Sequence, residues 1–151
     1  MGAAYFYHLT RGPLEATLPV LLEKSLQAGW RVVVRGTDPD RLDWLDQKLW
    51  QGDGFLPHGL SGGPHDADQP ILLTTAPDAA NAAHCVMAVD GAAVQAAEVT
   101  ALERVCILFD GNDAGAVQAA REQWKTLTAA GCAARYWSEE TGRWQMKAES
   151  G

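Results

Sequence analysis

Short apolar runs of strand length alternate along this chain with segments in which apolar residues recur at helical spacing. The runs at 70–75, 84–89 and 104–109 are nearly continuous, which is typical of strands that are covered on both faces. Strands of this kind lie inside a sheet with helices on each side, joined by right-handed crossovers. The pattern therefore predicts an α/β sandwich with a mostly parallel central sheet.

Turn and cap residues place the other elements of this alternation. A first strand is expected at 4–9 and another at 30–35, and a closing antiparallel hairpin is expected from 133–137 and 143–146. Helices are predicted from Pro13 to the terminator Gly29, from Pro39 to a break at Gly52, over 92–102, and from Asp113 to Gly131. The segment 54–69 is rich in Gly, Pro, His and Asp and is expected to be mostly loop.

The length of the chain indicates how many domains it forms. Its 151 residues favour a single domain over 1–151, and no internal repeat is visible. No stretch approaches the roughly 18–20 apolar residues that span a bilayer. The first residues also lack the basic region and apolar run of a secretory signal. We therefore expect a soluble, cytoplasmic protein with no membrane partner.

Charge and cysteine content exclude two classes of protein. The formal net charge is −7, whereas direct nucleic-acid binders depend on Lys and Arg to neutralise phosphates, so any contact with DNA is expected to be indirect. The three cysteines, Cys85, Cys106 and Cys132, are widely spaced among apolar residues. This spacing favours buried reduced thiols over a disulfide framework or a zinc site.

A doubly wound pattern invites a search for a nucleotide site, and the chain has neither GxxxxGK[ST] nor GxGxxG. The nearest candidate is the turn at 110–115, where Asp110 and Asp113 would place two negative charges beside a phosphate. We interpret it as a turn followed by a helix cap. The alternative is a small Mg²⁺-dependent nucleotide-binding enzyme in which these two acids hold the metal.

No other group of residues has the spacing of a catalytic or metal site. His58, His65, Asp66 and Asp68 match no metal-binding template and are interpreted as a solvated polar loop. His8 lies in a strand and is interpreted as structural, because no nucleophile or carboxylate is placed beside it by spacing. We therefore predict no catalytic residue, no metal site and no cofactor.

The predicted helix from Asp113 carries a cluster of cations in an otherwise acidic protein. We call one side of it the outer face: Val117, Arg121, Trp124, Lys125 and Thr128, which helical spacing brings together. Two cations beside a large apolar ring suit an acidic peptide with an apolar anchor. The alternative is an ordinary solvated face whose Trp covers the core.

Trp50 and Phe55 form a second candidate surface. They are large apolar residues at a predicted helix end and in the loop after it, where burial is least assured. They could bind a partner protein together. Alternatively, both fold back as a lid on the core.

Short motifs are spread along nearly the whole chain: Phe6-Tyr7, Gly29-Trp30-Arg31-Val32-Val33-Val34, Arg41-Leu42-Asp43, Leu49-Trp50, Phe55-Leu56-Pro57-His58, Pro70-Ile71, Ala120-Arg121-Glu122-Gln123-Trp124-Lys125, Ala130-Gly131 and Trp144. In their order and spacing they resemble the chi subunit family of bacterial DNA polymerase III. None of them is a catalytic signature. The resemblance implies a Rossmann-like three-layer sandwich without a P-loop, serving the clamp-loader side of the replicase without activity of its own.

The resemblance also implies partners. It implies that the outer face binds the acidic C-terminal tail of single-stranded DNA-binding protein, which ends in Pro-Phe, through Arg121, Trp124 and Lys125, with Val117 and Thr128 as neighbours. The family more often has Tyr at the position of Trp124. It implies that Trp50 and Phe55 contact the psi subunit, where psi is present. The sequence departs from the family at 110–115, where two acids are expected to weaken binding of an acidic tail.

Overall fold

In the computed structural model, one sheet of eight strands with four helices accounts for the described residues, which are 2–11, 13–51, 56–76, 81–139 and 144–150. The strands are β1 (Ala3–Leu9), β2 (Val32–Arg35), β3 (Gly59–Leu60), β4 (Ile71–Thr74), β5 (Cys85–Ala88), β6 (Arg104–Asp110), β7 (Ala133–Ser138) and β8 (Gln145–Ser150). The helices are α1 (Leu14–Gln27), α2 (Pro39–Trp50), α3 (Ala96–Ala101) and α4 (Ala114–Ala129).

The strand order is β3-β4-β2-β5-β6-β1-β7-β8, and every pair is parallel except β7 with β8. Strand β1 lies between β6 and β7, with Phe6 opposite Ile107 on one side and Tyr136 on the other. The predicted mostly parallel sheet with an antiparallel hairpin at its end is confirmed. The arrangement is that of a Rossmann-like sandwich.

The sheet is covered by helices on both faces. On one face, Leu22 of α1 and Leu45 of α2 pack with Val34 in one apolar cluster. On the other face, α3 and α4 contribute Val99 and Leu127 to a second cluster. Because β2, β4 and β5 lie between these layers, every residue in them is buried, as their apolar runs predict. The three cysteines are buried free thiols, as expected.

The segment 54–69 is mostly irregular in its described part, 56–69, as predicted, but two short elements interrupt it. Gly59–Leu60 forms β3, which pairs in parallel with β4 at the edge of the sheet, and Asp66–Asp68 forms one turn of 3₁₀ helix. The N–H of Ser61 continues the pairing by donating to the carbonyl of Leu73 at 2.8 Å. A strand of two residues is too short to show a period of two, so tertiary pairing alone defines it.

Two predicted boundaries also differ from the structure. Helix α3 begins at Ala96 and not at 92, because Gln95 and Glu98 form a reciprocal capping box that fixes the first turn there. The second strand of the hairpin spans Gln145–Ser150 and not 143–146, with a register shift at Tyr136/Trp137. No helix in the described parts of the chain is long and apolar enough to cross a membrane.

A buried ion pair joins the sheet to α3. Arg35 at the end of β2 donates to both carboxylate oxygens of Glu98, at 2.9 and 2.7 Å. Arg35 is only 4% exposed. Burial by itself would raise the pKa of Glu98, but the hydrogen bonds from Arg35 and from the Gln95 backbone outweigh it and lower that pKa. Glu98 therefore stays ionised and neutralises the buried guanidinium.

Candidate partner-binding sites

Helix α4 begins and ends at the residues that its sequence signals. Asp113 is the N-cap, and its Oδ1 accepts the N–H groups of Gly115 at 2.9 Å and Ala116 at 3.3 Å. The chain leaves the helix through Gly131, whose φ of 88° favours glycine. The helix axis is thus fixed at both ends.

The two sides of α4 differ as its spacing predicts. Ala120 and Leu127 are buried against the sheet. On the outer face Arg121 and Lys125 are exposed, while Val117, Trp124 and Thr128 are half-buried. The hydroxyl of Thr128 donates to the carbonyl of Trp124 at 2.7 Å. Thr128 therefore offers a methyl group rather than a free hydroxyl to an incoming ligand.

Trp124 fills one of the two roles that the sequence left open, because its ring covers part of the core. Its ring meets Phe6 edge-on with centroids 5.3 Å apart and meets Tyr136 edge-on at 6.2 Å. Such aromatic contacts stabilise by about 0.5–1.5 kcal/mol each beyond the area they bury. The indole thus covers part of the core and is held in one orientation, while its remaining surface lies on the same face of α4 as the two exposed cations.

The aromatic support beneath Trp124 is the part of this site that sequence reasoning missed. Tyr136 forms a hydrogen bond of 2.7 Å with Nδ1 of His8, and the His8 ring stacks on Phe109 at 5.1 Å. These side chains come from β1, β6 and β7. The signal lies in the parallel register that sets Phe6 beside Tyr136, and a single sequence does not reveal strand pairing. His8 therefore links Tyr136 to Phe109 beneath the site.

The outer face carries two exposed cations. Arg121 and Lys125 lie one turn apart, and neither forms an ion pair with any described residue. Glu122, the nearest acid on the helix, accepts a hydrogen bond from Gln118 at 3.4 Å. Like charges at this spacing destabilise a helix by a few tenths of a kcal/mol, so a bound carboxylate would relieve a repulsion as well as form new contacts.

The side chains of Asp110 and Asp113 both accept hydrogen bonds from backbone N–H groups close to them in the chain. Oδ1 of Asp110 accepts the N–H of Asn112 at 2.9 Å in the turn, and Asp113 caps α4. The prediction of a turn followed by a helix cap is confirmed. Within the described residues, no three His, Cys, Asp or Glu side chains are grouped so that they could hold a metal ion.

Trp50 is a fixed, outward-facing residue at the end of α2. It is 54% exposed, and its ring lies over the buried His58 ring with centroids 4.2 Å apart. His58 is itself held by the carbonyls of Leu56 and Asp46. The alternative in which Trp50 folds back as a lid is therefore wrong. Phe55, its predicted companion, lies outside the described residues.

The amino-acid sequence of the chain matches a known protein family. A family model described as DNA polymerase III chi subunit, HolC, matches residues 1–135. The matched range contains Trp50 and all of α4, and it ends within β7. No curated protein sequence matches the chain. Because the matched range is well over half of the chain, the protein belongs to the DNA polymerase III chi subunit family and has an accessory role in DNA replication.

Proposed function

We propose that this protein connects the polymerase III holoenzyme to single-stranded DNA-binding protein by holding the acidic C-terminal tail of that protein on the outer face of α4. It contributes no catalytic step of its own. The observation that carries the proposal is the pair of exposed cations, Arg121 and Lys125, on the same face of α4 as Trp124, whose ring is held by Phe6 and Tyr136.

The chemistry of the outer face matches that of the tail. The Arg121 guanidinium can hold a carboxylate through two parallel hydrogen bonds, and Lys125 supplies a second positive charge one turn away. The exposed part of Trp124, with Val117 and the Thr128 methyl group, offers apolar contact for the Pro-Phe end. Supported aromatic rings lose little conformational entropy on binding, which favours them as anchors.

The acid at the start of α4 weakens this site only slightly. Asp113 precedes Arg121 by eight residues, which is about 12 Å along a helix. The Debye length at physiological ionic strength is about 8 Å, so the repulsion between Asp113 and a carboxylate at Arg121 is largely screened. Asp113 also lies beside the positive end of the helix dipole, which offsets part of its charge.

Calorimetric titration of the whole protein with a synthetic acidic peptide ending in Pro-Phe tests the proposal. We expect modest affinity at low salt that falls several-fold as ionic strength rises, because partly exposed charges provide much of it. The same peptide with its aspartates changed to asparagine is the control and should bind weakly at every salt concentration. Absence of binding at low salt would contradict the proposed function.

Trp50 is proposed as the contact to the psi subunit or another clamp-loader component. A Trp50→Ala variant should keep the tail affinity of the wild type and lose little stability, since the ring is 54% exposed. Its capture of purified psi subunit should fall at least tenfold, because exposed, preorganised Trp side chains dominate many interfaces. Val20→Ala on α1, which removes another exposed apolar side chain, is the control. Unchanged capture by Trp50→Ala would remove this assignment.

A further inference from the structure

The sheet opens into a crevice on the other side of α4 from the outer face. Strand β1 leads into α1 on one face of the sheet, and the neighbouring β6 leads into α4 on the opposite face. Two adjacent strands whose chains leave toward opposite faces create a gap beyond their carboxyl ends, where ligands bind in open α/β folds. Here the gap has a volume of about 1080 Å³.

Small side chains keep this crevice open. From α4 it is lined by Ala116, Ala119 and Ala120, and the opposite wall is the segment 91–94, which is not helical because α3 begins only at Ala96. Ile107 and Phe109 of β6 form part of an apolar floor. Deep apolar surface next to small residues can accept a larger apolar side chain.

The rim of the crevice is acidic. Among the described residues that line it, the charged ones are Glu15, Asp90, Asp110, Asp113 and Glu122 against Arg11 and Arg41. Negative charges outnumber positive ones by three. The ion pair of Arg41 with Asp90, at 3.1 Å, removes one charge of each sign and leaves this difference unchanged. This surplus repels phosphates and carboxylates and attracts cations. The surplus therefore disfavours phosphate groups that bind without a metal, and Asp110 and Asp113 already accept backbone N–H groups of their own turn and helix cap.

We propose that this crevice binds a short peptide segment of a partner protein in which Lys or Arg lies next to an aliphatic or aromatic residue. The apolar side chain enters toward Ile107 and Phe109, and the neighbouring cation stays at the rim among the carboxylates. Two adjacent residues of a peptide are enough to place an apolar side chain beside a cationic one. The volume of the crevice, about 1080 Å³, admits several residues. The protein would then hold an acidic tail on one side of α4 and a basic segment on the other.

Selection of random twelve-residue peptides displayed on phage against the immobilised full chain identifies such segments directly. We expect enriched sequences to be net positive, with Lys or Arg beside Leu, Ile or Phe. A selected peptide carrying a fluorescent label should lose at least tenfold in affinity for an Ala119→Trp variant, whose indole fills the crevice. Ala129→Trp is the matched control, because Ala129 is exposed on the same helix and does not line the crevice.

A second pair of variants tests the charge of the rim. Glu122→Lys should weaken the labelled peptide several-fold, whereas Glu23→Lys makes the same charge change on α1 outside the crevice and should leave the affinity unchanged. This pair remains informative if Ala119→Trp does not fold. The acidic Pro-Phe peptide should not displace the labelled peptide, since the two lie on different sides of α4.

Four results would overturn the proposal. Three of them are an absence of enriched basic peptides, binding that neither Ala119→Trp nor Glu122→Lys weakens, and displacement by the acidic peptide. The fourth is a rise in melting temperature with nucleotides and Mg²⁺ that Ala119→Trp abolishes, which would assign the crevice to phosphates. The phage selection, the crevice variants and the nucleotide test do not depend on whether the outer face binds the tail, so the two proposals can fail separately.

Discussion

Replacing Glu98 by alanine is expected to lower the free energy of unfolding by about 3–5 kcal/mol at neutral pH, measured by urea denaturation. The substitution removes both hydrogen bonds that the carboxylate of Glu98 accepts from Arg35, and Arg35 is only 4% exposed. It also removes the side chain that completes the capping box of α3. The loss should therefore exceed that of a typical surface substitution several-fold.

Two controls separate the ion pair from simple loss of packing. The double variant Arg35→Met/Glu98→Leu removes both charges and should be more stable than Glu98→Ala, because no buried charge is left unpaired. The difference between the wild type and Glu98→Gln should be fully present near pH 7, above the ordinary carboxyl pKa. It should shrink as the pH falls through the lowered pKa of Glu98. A difference that persists unchanged in strong acid would show that the charge pair is not its cause.

Reversing the charge of both cations on the outer face is expected to cause the largest loss of affinity for the acidic peptide. An Arg121→Glu/Lys125→Glu variant should bind the acidic Pro-Phe peptide about a hundredfold more weakly, which corresponds to ~2.7 kcal/mol. Attraction is replaced by repulsion at two positions that lie one turn apart. Both residues are exposed and lack ion pairs with described residues, so the fold should be retained.

The control for this variant is Lys24→Glu/Lys48→Glu, which makes the same change in net charge on α1 and α2. It should retain most of the affinity, with a small loss from long-range repulsion that added salt removes. Equal losses in the two double variants would show that net charge, and not the outer face, controls binding.

The fold was predictable because its strands are buried on both faces. Apolar runs such as 70–75 and 84–89 predict buried parallel strands, and Asp113 and Gly131 mark the two ends of α4 in the sequence itself. One miss is an element that tertiary pairing defines, and the other is a helix boundary that a local cap sets. Strand β3 has two residues and exists because it pairs with β4, and the start of α3 depends on a local cap that competes with a longer helix.

Part of the candidate site was also predictable from the sequence, because it lies on a single helix. Helical spacing alone places Arg121 and Lys125 together, and both are exposed as expected. The support of Trp124 by Phe6 and Tyr136 requires β1 and β7 to be neighbours, although more than a hundred positions separate them in the chain. The crevice likewise depends on which face each helix takes. The periodicity of apolar residues does not reveal which strands are neighbours or which face of the sheet each helix covers. The strand order of the folded protein does.

Mapping the bound peptide by two-dimensional NMR tests the central claim most directly. The isotope-labelled whole protein is titrated with the acidic Pro-Phe peptide, and shifts of backbone amides and of the Trp indole N–H signals are followed. The account predicts that the Trp124 indole and the amides of 117–128 shift together and in proportion to binding, while the Trp50 indole does not move. Binding whose largest shifts lie at Trp50, along the crevice or outside α4 would contradict it.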